Sequence, residues 1–285
     1  MQVRDRIERV SGEMTATERR LSAAILVDYP FAGLEPIQEI AQKTNTSPPT
    51  ISRFVTKLGF HGFQDFQRSL ISELKERQRS PVDLQRTAKP VDGAYLQSFL
   101  ARASKIIEQT GMAIPEAQFE RICGLLSDPR RAIYVIGGRM SDTIASYMSR
   151  HLRQTRAKVY HLPTDPEMWP EYLLRMKPRD ILFVADFRRY QKNLERLAER
   201  AVQDRKVLAI LLTDRWLSPV SQHATEVLAV PIESNTLWDS YSGAFSVVEA
   251  ALTRIAETNW KTVKARIEDW DSLRLDFGET EEDDL

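Results

Sequence analysis

The chain has one cysteine, Cys123, among 285 residues. A lone thiol excludes an intramolecular disulfide and a cysteine-rich zinc site, and four scattered histidines offer no metal-ligand spacing. Eleven glycines and 14 prolines are too few for a collagen-like or low-complexity chain. No stretch approaches the roughly 18 consecutive apolar residues of a membrane-spanning helix. Residues 1–10 carry charges throughout, where a secretion signal needs an apolar segment. These absences predict a cytoplasmic protein with no membrane partner. Net charge of one sign is missing too: 40 basic and 40 acidic residues sum to a formal charge of zero. That excludes the globally basic electrostatics of a histone-like binder and leaves room for a local basic face.

What is present is ordinary globular composition, 42% hydrophobic and 28% charged, over a length that suits two domains. Residues 1–78 read as short amphipathic helices without a strand, broken at 33–36, 45–49 and 59–62. Residues 79–92, with Pro81, Pro90 and few large apolar side chains, read as an exposed linker. Over 93–262, apolar runs at 132–136, 158–162, 180–185, 206–213 and 226–230 alternate with helical periodicity. Such runs suit strands covered on both faces, so the expected fold is an all-α domain followed by a five-stranded parallel sheet in an α/β/α sandwich. Helices are expected at about 91–110, 115–126 and 236–260. Residues 263–285 are expected to be an acidic tail, with Glu279, Glu281, Glu282, Asp283 and Asp284 at its end.

In the helical part, Ile37, Ile40 and Ala41 share one apolar face. Asn45 tolerates the left-handed conformation of a tight turn, and Ser47 then stands as N-cap with Pro48 at the first helical position. The following helix, 48–58, has Ile51, Phe54, Val55 and Leu58 inside. Ser47, Pro49, Thr50, Ser52, Arg53 and Lys57 are left outward or flanking. A helix, a turn and a second helix with a polar N-terminal end match the arrangement in which the second helix enters the major groove. Thr50 and Arg53 are placed for base edges or phosphate; Lys43 and Lys57 suit phosphates. A solvated helical hairpin is the plainer alternative for the same pattern.

In the second part, Gly137, Gly138, Arg139, Met140, Ser141 and Asp142 follow the first strand and lead into a helix. Backbone N–H groups and a helix N-terminus there favour an anion, with the Ser141 hydroxyl as a further donor; the alternative is a tight turn with Ser141 as N-cap. After the third strand comes Asp186-Phe187-Arg188-Arg189-Tyr190. Arg188 and Arg189 could hold an anion by paired hydrogen bonds, with Arg139 converging, or they could pair with Asp186, Asp214 or a partner subunit. No three-glycine dinucleotide loop and no lysine-bearing P-loop occur, so no cofactor is expected. Arg150, Arg153, Arg156 and Lys158 read as a solvated or interfacial helix face. His151 and His161 lack a carboxylate or thiol partner that spacing would place nearby, and Trp169 and Trp238 are the tryptophans placed to rim a pocket.

The string from Ile37-Gln38-Glu39-Ile40-Ala41 through Ser47, Thr50-Ile51-Ser52-Arg53-Phe54 and Lys57-Leu58-Gly59-Phe60, then Gly62-Phe63 and Phe66, resembles the N-terminal domain of RpiR/MurR-family bacterial transcriptional regulators. Thr46 stands where that family commonly has an apolar residue. The five-strand pattern behind it is similar to a SIS (sugar isomerase) domain over about residues 91–260. The resemblance implies a DNA-binding regulator, with repression the family's commoner mode, partnered by double-stranded operator DNA and acting as a homodimer or homotetramer. It implies a small anionic effector, a phosphosugar or related carbohydrate derivative, at Gly137, Gly138, Arg139, Ser141, Arg188, Arg189 and Thr213. Two loops depart from the family pattern: Arg139 replaces a usual glycine, and 186–190 replaces a serine-rich phosphate cradle. The competing reading is a sugar-phosphate aldose–ketose isomerase, for which Glu233, Asp239 and Glu249 would be the candidate bases, none in a recognisable acid/base arrangement. No catalytic residue is expected.

Overall fold

The computed structural model describes residues 2–27, 29–89, 91 and 93–273. It divides into two compact units, Met1–Arg79 and Ser80–Leu285.

The first unit is helical: α1 (Val3–Arg9), α2 (Ala16–Val27), α3 (Ile37–Lys43), α4 (Pro48–Lys57) and α5 (Phe63–Arg77). Its core gathers one face of each helix, including Ile7, Leu21, Ile25, Ile40, Ile51, Phe54, Phe66 and Leu70. Asn45 takes φ 49° in the α3–α4 turn, as an asparagine there can. Gly59, at φ 84°, closes α4: the Phe60 N–H reaches the Val55 carbonyl (3.1 Å) and the Gly59 N–H reaches Thr56 (2.9 Å). This double closure needs a left-handed residue past the helix end and turns Phe60 inward. Phe60 then meets Phe66 edge-on at 5.6 Å, and Phe63 stacks on Phe66 at 5.8 Å, so these rings are packing residues. Glu73 of α5 is buried and accepts from the Val3 N–H (2.7 Å) and the Tyr29 hydroxyl, which ties α1 to the far end of the unit.

The second unit begins with α6 (Pro81–Thr87), a helix inside the stretch expected to be an exposed linker. Ser80 caps it in a reciprocal box with Asp83, with Pro81 at the first helical position, and these signals outweigh its sparse apolar content. Next come α7 (Tyr95–Ala113), α8 (Glu116–Ser127), β1 (Ile133–Gly137), α9 (Asp142–Thr155), β2 (Val159–His161), α10 (Trp169–Arg175), β3 (Ile181–Ala185), α11 (Lys192–Gln203), β4 (Leu208–Asp214), β5 (Glu226–Val230), α12 (Ser242–Thr258) and α13 (Trp260–Ser272).

All strands pair in parallel in the order β2-β1-β3-β4-β5, with Ile133 opposite both Val159 and Ile181. Side chains alternate faces as a pleat requires. Ile133, Val135, Ile181, Phe183, Ile210 and Leu212 join α8, α9 and α12 on one side. Tyr134, Ile136, Leu182, Val184 and Leu211 join α10 and α11 on the other. α7 lies on α12 so closely that a Cβ at Gly243 would fall 2.2 Å from Thr110 Oγ1.

The helix expected over 236–260 starts only at Ser242. Upstream, the Ser234 and Thr236 hydroxyls both donate to the Trp238 carbonyl (2.6 and 3.0 Å), an alternative to helical bonding that holds a loop. The tail expected over 263–285 is helical as far as Ser272: Val263 is buried and Arg266 Nε donates to the Arg153 carbonyl (2.9 Å). The acidic residues 279–284 lie outside the described residues. Arg156, expected on a solvated face, is buried and donates to the Leu126 carbonyl (2.6 Å) as well as to Arg131.

Candidate nucleic-acid interface and ligand cleft

In the helical unit, Ile51, Phe54 and Val55 anchor α4 in the core and fix which residues face outward. Ser47 and Pro49 are exposed, Thr50 and Ser52 half-buried, and Arg53 exposed one turn along. Ser47 occupies the N-cap position in extended backbone, but its hydroxyl lies 2.9 Å from Thr50 Oγ1 instead of accepting a backbone N–H. Pro48 and Pro49 have no N–H, so the helix start offers hydroxyls and not backbone donors. Thr46, the departure in the turn, is absorbed by a 2.9 Å contact with the Thr44 hydroxyl. The Arg53 side chain makes no hydrogen bond or ion pair with any described residue.

Lys57, expected at a phosphate, has partners within the unit. Its ammonium donates to the Glu13 carbonyl (2.7 Å) and to Glu18 (3.1 Å). The Glu18 carboxyl is held below its ordinary range by the Thr15 N–H first and by Lys57 second. Lys43 likewise pairs with Glu35. One supporting cation escaped the sequence reading: Arg6 donates to the Leu58 and Gly59 carbonyls (3.1 and 2.9 Å) and lies 4.3 Å over the Phe60 ring. A cation on the last carbonyls of α4 complements its dipole and fixes its C-terminal end.

In the second unit, β2 and β3 flank β1, so the chain leaves β1 in opposite directions on its two sides. Ligands of such sheets bind at this reversal, beyond the strands' carboxyl ends. A cleft of about 760 Å³ lies there, walled by 138–141 after β1, by residues of 186–191 after β3, by Trp238, Asp239 and Tyr241, and by Pro81 and Leu84 of α6.

Five of the seven expected ligand residues meet at this cleft: Gly138, Arg139, Ser141, Arg188 and Arg189. Gly137 does not line it. An added Cβ there would sit 2.5 Å from the Asp142 backbone, so this glycine permits the tight exit from β1. Thr213 does not line it either. It is buried, donates to the Asp186 carbonyl (2.6 Å) and accepts from the Ser218 N–H (3.2 Å), which braces the loop from behind. Ser141 reaches the wall, but its hydroxyl donates to the Ala185 carbonyl (2.6 Å) and accepts from the Gly138 N–H (3.0 Å), so its proton is spent tying the two loops together. It holds the N-cap position of α9 without a capping bond.

The charge pattern around Arg188 is dense. The Arg188 side chain is 2% exposed; Nη1 donates to Asp239 (3.1 Å), and the guanidinium lies 4.1 Å over the Trp216 ring. Its backbone N–H donates to Asp214 (2.6 Å), which also accepts from the Tyr190 hydroxyl (2.6 Å) and the Trp216 N–H (2.9 Å). Burial nevertheless pushes the Asp214 carboxyl above its ordinary range. Burial also raises Asp186, to about 7, against the opposing bond from Ser218 (2.5 Å) and with a further push from Asp214. Tyr241, in tilted contact with Phe187 at 5.0 Å, is pushed up to about 12 by burial and then by Asp239, so its phenol stays neutral. Arg189 is exposed at the rim in the left-handed region, φ 71°.

Trp238 is 63% exposed at the cleft, whereas Trp169 is buried and bonded to the Pro163 carbonyl (2.8 Å) in the opposite layer. His161, read as isolated, has a carboxylate partner after all: Nε2 lies 2.9 Å from Asp142. Nineteen residues separate them, and parallel pairing of β2 beside β1 brings them together. Of the candidate bases, Asp239 reaches the cleft and is paired with Arg188; Glu233 pairs with Arg215, and Glu249 bonds to Tyr147.

Comparison with known proteins finds a match in each unit. The helix-turn-helix domain of the rpiR family matches residues 1–77, and the SIS domain matches residues 125–254. An uncharacterized HTH-type transcriptional regulator of Clostridium perfringens is 27% identical over 143 residues, 48% of this chain; the chain spans about half (49%) of that relative's length. The HTH-type transcriptional regulator HexR of Escherichia coli is 21% identical over 83% of this chain and 80% of its own. Among solved structures, the Vibrio vulnificus NanR protein complexed with ManNAc-6P aligns with 95% of this chain and 97% of its own, at 19% identity and a TM-score of 0.54, a likeness of fold. The chain thus carries a helix-turn-helix domain of the rpiR family over residues 1–77, followed by a SIS domain over residues 125–254.

Proposed function

We propose that the protein reads double-stranded operator DNA with α4 and senses a small anionic carbohydrate derivative in the SIS cleft, as a homodimer or homotetramer. The observation that carries the DNA reading is Arg53, exposed and unpaired on a helix whose opposite face is locked into the core. A cation without an internal partner loses little on transfer to a guanine edge or a phosphate. Ser47, Pro49, Thr50 and Ser52 supply the hydroxyl and apolar contacts around it.

For the effector, three arginines converge on one cleft. The fold is shared with a protein solved in complex with ManNAc-6P, which supports a sugar-derived anion. Sensing requires the anion to bind DNA-competent and DNA-incompetent arrangements with different affinity. The isomerase alternative is disfavoured because Asp239, the candidate base that lines the cleft, is engaged by Arg188. Self-association would supply two reading heads for paired half-sites. The exposed Leu96, Leu100 and Ile107 of α7, spaced along one helical face, are the surface we assign to it.

Fluorescence anisotropy with labelled DNA from the gene's own upstream region tests the reading. Sequence-selective, salt-sensitive binding that weakens about 5- to 150-fold in Arg53→Ala is expected. Equal affinity for upstream and scrambled DNA contradicts it.

A further inference from the structure

One wall of the cleft is built unlike the others. The 138–141 loop is tied to β3 through the Ser141 hydroxyl and the Ala185 carbonyl, the loop after β3 is braced by Asp214 and Ser218, and Asp239 is held by Arg188. The wall made by Pro81 and Leu84 belongs to α6, a helix of 7 residues, none of them buried. A helix so short is marginal in water without packing, and the capping box of Ser80 and Asp83 secures only its first turn. Beyond its far end, the Lys89 N–H donates to the Asn235 carbonyl (3.0 Å), and Arg102 Nη1 donates to the Lys89 and Asn235 carbonyls (3.1 and 3.4 Å). Asn235 immediately precedes the loop that carries Trp238, Asp239 and Tyr241 into the same cleft. On the other side, residues 78–80 alone separate α6 from α5, the last helix of the first unit.

We infer that α6 is a strap through which the cleft acts on DNA binding: a sugar phosphate in the cleft packs its carbon skeleton against Pro81 and Leu84 and holds α6 docked. The inference rests on the reading of the cleft as an effector site and names how its occupancy reaches the reading heads. The cleft's arginines lie on the loops after β1 and β3, whereas the α6 wall is apolar, so a molecule with an anionic end and a carbon skeleton satisfies both. Among the walls, α6 has the least to hold it when the cleft is empty, and a ligand that touches only its docked state shifts the balance toward docking. With α6 docked, the tether between the units is residues 78–80; undocked, it lengthens toward the clasp at Lys89. Tether length sets the effective concentration of a second reading head at its half-site, so docking of α6 changes the DNA affinity of a paired molecule with no new contact to DNA.

Hydrogen exchange of the full-length protein, read by mass spectrometry, tests the strap. The probes are N-acetylmannosamine 6-phosphate and glucose 6-phosphate, with inorganic phosphate as the anion that lacks a carbon skeleton and sorbitol as the neutral control. A saturating sugar phosphate is expected to slow exchange over residues 80–89 about 10- to 100-fold, together with slower exchange at 137–142 and 186–191. In Leu84→Ser, titrated again to saturation, the two loops should still be protected, while the protection of 80–89 and the probe's effect on DNA affinity in the anisotropy titration are lost. Gln85→Ala, at an exposed position of α6, should keep both. Should Leu84→Ser misfold, the wild-type comparison of 80–89 with the two loops still decides. Protection of the loops with 80–89 unchanged overturns the strap and leaves the effector site in place. Equal slowing of 80–89 by inorganic phosphate overturns the contact with Pro81 and Leu84. Exchange unchanged at every cleft segment with both sugar phosphates overturns the strap and the effector reading together.

Discussion

Arg53 and Arg188 carry the same group in opposite states. Arg53 stands in water on α4 with no internal partner among the described residues; Arg188 is buried against Trp216 and Asp239, its Nε and Nη2 buried without a hydrogen-bond partner. A group that meets a long, hydrated polyanion gains by staying solvated until contact, since the energy comes from released counterions and a late hydrogen bond. A group that selects one small molecule gains by being desolvated and oriented beforehand, and the fold bears that cost through Asp239 and Trp216. The Asp186 and Asp239 carboxyls line the cleft, whereas Arg53 has no acid paired to it among the described residues.

The sharpest way to break this comparison is truncation of both arginines. Arg188→Ala leaves Asp239 without this partner and bares Trp216, and denaturant unfolding is expected to show a loss of about 3–5 kcal/mol; Arg53→Ala should stay within about 0.5 kcal/mol of wild type. Equal costs would end the distinction. DNA affinity should reverse the order: Arg53→Ala is expected to lose about 1–3 kcal/mol, while Lys57→Ala, whose ammonium is occupied by Glu13 and Glu18, should lose less in the same anisotropy titration.

Acidity offers a further contrast. Folded Asp186 titrates at about 7 against an ordinary 3.8, so the native state holds a proton that the unfolded chain releases. Its stabilising effect is present in full below the ordinary value and is lost as pH rises through about 7; Asp214 acts in the same direction. Unfolding free energy measured across this window is expected to fall with rising pH, less steeply in Asp186→Asn. An unchanged slope in that variant would assign the effect elsewhere. The smallest expected effect is at Ser47. Its hydroxyl caps no backbone N–H, so Ser47→Ala should cost less than about 0.5 kcal/mol, below the usual capping loss of about 1 kcal/mol.

Legibility in the sequence followed the range of the interactions. The strands announce themselves because apolar runs bury both faces of β1 and β3, and the α3–α4 turn is visible in Asn45, Ser47, Pro48 and Gly59, whose conformations are decided within a few residues. Gathering Gly138, Arg139, Ser141, Arg188 and Arg189 needs the strand order, which periodicity alone does not supply. Side-chain commitments over long separations stayed hidden: Lys57 with Glu18, His161 with Asp142, Thr213 with Asp186. α13 was masked by its charged, weakly apolar composition, because it docks through Val263 and the Arg266 bond to Arg153. α6 had a readable signature in Ser80, Pro81 and Asp83, outweighed in the sequence by its sparse apolar residues.

The most direct test of the regulator reading is reciprocal coupling. With a sugar-phosphate anion that saturates the cleft, its affinity for the protein is measured by calorimetry with and without saturating operator DNA, and DNA affinity is measured with and without the anion. The account predicts that each ligand changes the other's affinity by the same factor, between about 5- and 150-fold, and that Arg188→Lys removes the anion's effect. Anion affinity that is identical with and without DNA would contradict it.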